Sequence, residues 1–233
     1  MGSMLTVMRE QHGITVVIPT LDEGPWIRAA VESVAIGASE VIVVDGGSAD
    51  ATVPEAMAAG ARVITGPRGR ASQMQAGARE AAGDWLVFLH ADTRLEAGWC
   101  DALRALDVRF VAGAFRLRLD PPRARYRLVE AAVRLRCAVF ALPYGDQAIF
   151  VRREAFFGCG GFGDVPILED VDLVRRLRRC GALAFPAAHA VTSARRWEER
   201  GFLRTTLLNW VVVVLGSAGF PRRRLARLYG ARG

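Results

Sequence analysis

The sequence predicts an α/β fold on a mostly parallel sheet flanked by helices. Three observations point there. The apolar runs of the first half, such as ITVVIP (14–19), EVIVVD (40–45) and DWLVFLHAD (84–92), are continuous rather than alternating. That is the pattern of strands covered on both faces. The runs are separated by segments with helical spacing, and such repetition gives right-handed crossovers between parallel strands. Three runs end in polar, acid-bearing stretches, PTLDEG (19–24), DGGSAD (45–50) and HADT (90–93). In sheets of this kind ligands gather beyond the carboxyl ends of the strands.

In chain order, the strand at 14–19 leads into a helix, PWIRAAVESVAI (25–36), and then the strand at 40–45. ADATVPEAMAAG (49–60) is a second helix, with Ser48 and Asp50 as cap residues, and ARVITG (61–66) a third strand. GPRGRAS (66–72) lacks both common glycine-rich phosphate patterns, but it puts Arg68 and Arg70 before a helix at 71–83. The fourth strand, 84–92, stops on His90 and Asp92. RFVAGAFRLRLD (109–120) reads as one long strand, 121–142 as an arginine-rich amphipathic helix after two prolines, and 147–153 as a strand. GCGGFG (158–163) is a glycine loop. EDVDLVRRLRRCG (169–181) is a helix with acids first and arginines last, the order the helix dipole favours. Capping therefore competes with chemistry as the reason for Glu169 and Asp170. Further strands follow within 181–197, then C-terminal helices.

The 233-residue chain is 52% hydrophobic, enough for a sizeable core. The opening MGSM reads as a cloning remnant, and no signal-like pattern follows it. All 31 basic residues are arginine. Residues 1–100 carry 7 arginines against 12 acids, and the remainder 24 against 12. A basic second half calls for an anionic partner such as phosphates or a membrane surface. Nucleic acid is not expected, because no basic stretch is interleaved with exposed aromatics and no recognition motif appears. Cys100, Cys137, Cys159 and Cys180 form no C-x-x-C pair, so they are expected to be buried thiols in a reducing cytoplasm. LLNWVVVVLGSAGF (207–220) is too short to span a bilayer. It reads either as a core helix packed on the sheet or, with Arg222, Arg223, Arg224 and Arg227 behind it, as an interfacial anchor for peripheral membrane contact through 207–227.

Taken together, VVIPTLDE, VIVVDGGSAD, AGDWLVFLHADT, GGF and EDVDLVRRLRRCG resemble, in order and spacing, the inverting family 2 glycosyltransferases over roughly residues 13–197. GAFRLR, YGDQ and TSARRWE are similar to a small bacterial branch, some members of which are named for association with radical-SAM or selenium-domain proteins. The resemblance implies a GT-A fold, a nucleoside-diphosphate sugar donor, Mg²⁺ or Mn²⁺, and transfer with inversion to an acceptor that the sequence does not identify. It divides one domain into a donor half (13–105), an acceptor half (106–200) and C-terminal helices (201–233).

HAD (90–92) stands where the family has D-x-D, so Ala91 lies at the donor and Asp92 is implied as the sole carboxylate on the metal, with His90 orienting the strand end. A hard divalent ion shares its sphere with phosphate and water, so one carboxylate suffices. Pro19, Thr20, Asp22 and Glu23 match the loop under the nucleoside, and Asp45 the contact to base or ribose. Gly46 replaces a second aspartate, which leaves a UDP- or GDP-linked donor open. Arg68 or Arg70 is implied at the pyrophosphate. Glu169 and Asp170 match the acidic pair, with Asp170 the favoured base. SARRW (193–197) resembles Q-x-x-R-W, which implies Arg196 and Trp197 at the acceptor. A sugar-nucleotidyltransferase would want a glycine-rich basic loop near the N-terminus, and VVIPTLDEG has none. A non-catalytic binder has no need of Asp45, Asp92 and the 169–170 pair together.

Overall fold

The computed structural model describes residues 13–229, and the opening MGSM lies outside the described residues. A seven-stranded sheet has the order β3-β2-β1-β4-β8-β6-β9. Its first four strands are β1 (Ile14–Thr20), β2 (Glu40–Asp45), β3 (Arg62–Thr65) and β4 (Trp85–Phe88), all parallel. The helices between them are α1 (Gly24–Ala35), α2 (Thr52–Ala58) and α3 (Arg70–Glu80). Alternate β1 residues serve opposite faces. Ile14, Val16 and Ile18 meet Ile27, Ala30, Val31 and Val34 of α1, while Val17 meets Met74 and Ala78 of α3. Gly77 lets α3 approach: a β-carbon there would lie 2.4 Å from Val17 Cγ1. Pro19 sits in β1 without cost because pairing with β4 ends at Val17–Phe88, leaving no ladder bond for the missing N–H.

The structure departs from expectation in three places. The fourth strand ends at Phe88, and a turn closed by Thr93 N–H to the His90 carbonyl (3.0 Å) leads to a short strand, β5 (Thr93–Leu95). After α4 (Trp99–Arg104), the expected long strand breaks into β6 (Phe110–Ala114) and β7 (Arg116–Asp120). β6 joins the large sheet, and β7 a second sheet of order β5-β10-β7. The break follows the chemistry. FVAGA is apolar throughout and is covered on both sides, whereas RLRLD alternates and buries only Leu117 and Leu119 against α5 (Ala124–Phe140). Third, β8 (Ile149–Arg152) runs antiparallel to both β4 and β6. A tight turn, Gly145–Gln147, precedes it.

The chain continues through α6 (Arg153–Gly158), α7 (Glu169–Leu177), β9 (Ala182–Ala184), β10 (His189–Ser193), α8 (Arg195–Arg200), α9 (Phe202–Ser217) and α10 (Arg222–Tyr229). Helix α9 does not pack on the sheet as a core helix. It buries Val212 against α7 and α10 and leaves Leu203, Leu207, Trp210 and Val214 exposed. Among the described residues no helix is long and apolar enough to cross a membrane. Of the four cysteines, all free thiols, Cys100 and Cys137 are buried as expected, but Cys159 is half-buried and Cys180 is exposed, because it follows the last turn of α7.

Candidate active site

The ends of β1 and β2 are clasped together. Gln73 of α3 donates to the carbonyls of Thr20 (2.7 Å) and Val44 (2.8 Å). Asp45, almost fully buried, turns back on its own loop and accepts from Gly47 N–H (3.0 Å), Ser48 N–H (3.1 Å) and the Ser48 hydroxyl (2.5 Å). Asp22 holds a left-handed conformation (φ 55°) and accepts from Ala49 N–H at 2.9 Å, while its own N–H donates to Ser48 Oγ. Asp50 accepts from Gly24 N–H and Thr52 N–H, both at 2.9 Å. The first two strand-end loops are thus one rigid shelf. Arg68 leans over it and donates to the Gly46 carbonyl at 3.3 Å.

Beside the shelf, Arg195 from the start of α8 bridges two carboxylates, Glu23 Oε1 at 2.7 Å and Asp92 Oδ2 at 3.2 Å. Its guanidinium also lies over the Trp26 ring, 5.6 Å from the centroid. The other Glu23 oxygen is buried with no hydrogen-bond partner among the described residues. Burial, partly offset by Arg195, raises the Glu23 carboxyl above the usual range. Glu23 and Asp92 therefore converge on one position for a cation, which Arg195 fills. Ala91 between these groups is packed in the core, so only its backbone is available to a ligand.

The acidic pair lies at the start of α7, after Leu168 in a left-handed conformation (φ 64°). Neither residue is a simple helix cap. Glu169 is buried and ion-paired with Arg70. Burial opposes the charge of Arg70, but Glu169 more than compensates, and the guanidinium pKa is raised. Arg70 thus sits against the acidic pair, while Arg68 stays over the loop shelf. Asp170 accepts from Gly145 N–H (2.6 Å) and Val171 N–H (2.8 Å). Burial first, and then the neighbouring Glu169 charge, push its carboxyl up to about 6, with Arg70 pulling the other way.

His90 joins the two clusters. It stands two residues before Asp92, and a β-carbon on Gly145 would come within 2.9 Å of its Nε2 and 3.4 Å of Asp170 Oδ2. Burial, then Arg70, Arg196 and Arg195, hold His90 well below its ordinary value, so the ring is neutral. His90, Gly145, Glu169 and Asp170 line a small cavity with Met74 and Phe162.

Trp197, expected at the acceptor, is a core residue instead. Helix α8 turns it inward toward Tyr126, and its indole N–H donates to Thr206 Oγ1 at 3.2 Å. Arg196 points the other way and donates to the Tyr229 hydroxyl at 3.0 Å. Sequence reasoning passed over Arg195, Gln73 and Asp146. Asp146 has a buried oxygen with no partner among the described residues, and burial raises its pKa against the pull of Arg136, Arg196 and Arg70. The signals were faint: an arginine beside Arg196, and an aspartate within YGDQ. Among the described residues no cluster of three or more His, Cys, Asp or Glu side chains is placed to hold a metal.

A sheet edge that gathers carboxylates and arginines around a rigid loop shelf defines an α/β protein built to handle an anionic ligand at its strand ends. The chain belongs to glycosyl transferase family 2, whose profile matches residues 15–160, and is accordingly a glycosyltransferase. It is 29% identical over 215 residues to the PGL/p-HBAD biosynthesis glycosyltransferases of Mycobacterium bovis and Mycobacterium tuberculosis, covering 84% of this chain and 80% of theirs. The fold is shared with glucosyl-3-phosphoglycerate synthase of M. tuberculosis crystallised with Mn²⁺, UDP and phosphoglyceric acid (TM-score 0.63, 20% identity, 90% of this chain and 80% of that one). A structure described as a mycobacterial protein matches at TM-score 0.58 and 22% identity, over 90% and 76% of the two chains.

Proposed function

We propose that the chain transfers a sugar, with inversion, from a nucleoside-diphosphate sugar to an acceptor hydroxyl. The observation that carries this reading is the linkage of Asp92 to the buried Glu169–Asp170 pair through His90 and Gly145. One cluster gathers two carboxylates around a single cation position, and the other offers a base. Asp170 is ionised above about pH 6. Each of its oxygens keeps a second lone pair beyond its backbone bond, so Asp170 can take the acceptor hydroxyl's proton as the acceptor oxygen bonds the anomeric carbon and the diphosphate leaves. The N–H groups of Gly145 and Val171 fix the base in place, Arg70 balances the charge of Glu169 beside it, and Arg68 and Arg195 stand where the leaving charge develops.

The residues fit a divalent ion. The oxygen donors at the Glu23–Asp92 position are hard ligands, and a guanidinium already stands in for the cation. Asp92 would hold Mg²⁺ or Mn²⁺, with phosphate and water as the remaining ligands. When bound, such an ion stabilises charge on the departing diphosphate. The UDP and Mn²⁺ of the glucosyl-3-phosphoglycerate synthase crystals support both donor class and ion. In this reading residues 13–105 hold the donor and 106–200 the acceptor, and GAFRLR, YGDQ and TSARRWE support membership of the small bacterial branch. Calorimetry with UDP and GDP, with and without Mn²⁺, tests it. Metal-dependent binding of one diphosphate is expected. A preference for triphosphates would indicate a nucleotidyltransferase, and binding of neither nucleotide would overturn the donor assignment.

The exposed stripe of α9, Leu203, Leu207, Trp210 and Val214, supports peripheral attachment to an anionic bilayer at the cytoplasmic face. Arg222 is not available to headgroups, because it pairs with Asp172 at 2.7 Å. Arg223, Arg224 and Arg227 are exposed. Salt-sensitive co-sedimentation with phosphatidylglycerol vesicles is expected, and should be lost when those three become glutamine. No binding at low salt would rule out attachment.

A further inference from the structure

The second half holds a groove of about 760 Å³ between β7 and α5, lined by neither the Asp92 cluster nor the Glu169–Asp170 pair. Its lining includes Arg116, Arg118, Arg123, Arg127 and Arg134 against the single carboxylate Glu130. That carboxylate is committed to Leu119 N–H at 2.9 Å. Arg118 is spent on Glu96 and His189, and Arg123 on Glu198 at 2.8 Å. Arg116, Arg127 and Arg134 have no carboxylate partner among the described residues. Uncompensated guanidinium groups in a cleft are the geometry that receives phosphate.

The floor is of the opposite character. Leu117, Val133, Cys137 and Phe185 line it, all buried or half-buried. A free inorganic anion has no use for such a floor, but a phosphate on a hydrocarbon chain does. Helix α5 adds a third observation. Leu128, Leu135 and Val139 on its outer face are 72%, 64% and 61% exposed, and each directly follows a groove residue, Arg127, Arg134 or Ala138. The apolar stripe therefore runs beside the groove's rim along the helix. An apolar stripe beside cationic side chains is suited to a bilayer surface rather than to water.

We propose that the β7–α5 groove binds a membrane lipid phosphate, with the phosphate on Arg116, Arg127 and Arg134 and the first carbons of the chain on the Leu117–Val133–Cys137 floor. The site is distinct from the Asp92 cluster and does not depend on the donor or metal reading. It adjoins the catalytic turn through Gln147, which lines the groove two residues after Gly145.

Calorimetry with decyl phosphate below its micelle concentration, inorganic phosphate and neutral decyl maltoside tests the proposal on the full chain. Decyl phosphate is expected to saturate one site and to bind at least about tenfold tighter than inorganic phosphate, since each buried methylene adds to affinity. The Arg127→Gln/Arg134→Gln variant should lose about tenfold or more. Ala138→Trp, which fills the groove from an exposed position, should abolish binding while leaving thermal unfolding unchanged. Phosphatidic acid vesicles should compete with decyl phosphate, and phosphatidylcholine vesicles should not. Absence of saturable binding, equal affinity for inorganic phosphate, or indifference to the arginine substitutions would overturn the site. Decyl phosphate binding that phosphatidic acid cannot displace would overturn its bilayer source.

Discussion

Asp92→Asn is expected to remove nearly all sugar transfer, lowering turnover by about 10²–10³, and to remove the metal dependence of diphosphate binding. The other carboxylate at that position, Glu23, is already tied to Arg195. Among the described residues no three-ligand metal cluster exists, and His90, two residues away, is held against Gly145. An amide is a poor ligand for a hard cation and carries no charge to balance it. The fold should survive, because Arg195 keeps its shorter bond to Glu23 (2.7 Å) when Asp92 is neutralised. Turnover with the best donor, Mn²⁺ calorimetry and thermal unfolding together check this result. Activity within a few-fold of the parent would remove Asp92 from the site.

The second large effect belongs to Asp170. A base that ionises at about 6 gives a rate that rises with pH through that value and levels off above it. Asp170→Asn should lower kcat by about 10²–10⁴ and erase that acid limb, with little change in UDP affinity. The variant is not structurally silent. The carboxylate accepts from Gly145 N–H and Val171 N–H on different oxygens, and an amide turns one acceptor into a donor. The expected cost is about 1–3 kcal/mol, so thermal unfolding belongs beside the kinetics. The same raised pKa has a sign for stability. The folded state holds this proton more tightly than the unfolded chain, so the contribution is fully present below the unfolded value of 3.8 and is lost as pH rises through about 6. A collapse of donor affinity in Asp170→Asn would place the residue in the donor site.

The parallel half was legible because its physics is local. Continuous β-branched runs make two-sided strands, and β1, β2 and β3 fall where those runs do. The break at Phe115 was written in the change from FVAGA to RLRLD, but a reading that joined apolar runs by length passed over it. The reversal of β8 was not legible, since strand direction depends on where the intervening chain returns. In the site, short motifs singled out Asp92, Glu169 and Asp170, but not what each touches. Arg70 and Glu169 are 99 positions apart, and Arg195 and Glu23 are 172 apart. Pairs of that separation are made by topology alone. Trp197 shows the converse: the likeness of SARRW to Q-x-x-R-W implied a role shared with Arg196, yet helical rotation sends neighbours to different faces.

The clasp of Arg195 between Glu23 and Asp92 bears on how this protein is made. A site that gathers acids usually resists folding until a counter-ion arrives, which ties maturation to metal supply. Here the counter-ion is covalently part of the chain, delivered from a helix 172 residues away. The carboxylates can assemble on a ribosome product that has met no cation at all. Chelation should therefore silence such an enzyme without unfolding it, and metal starvation would leave an intact pool ready to resume.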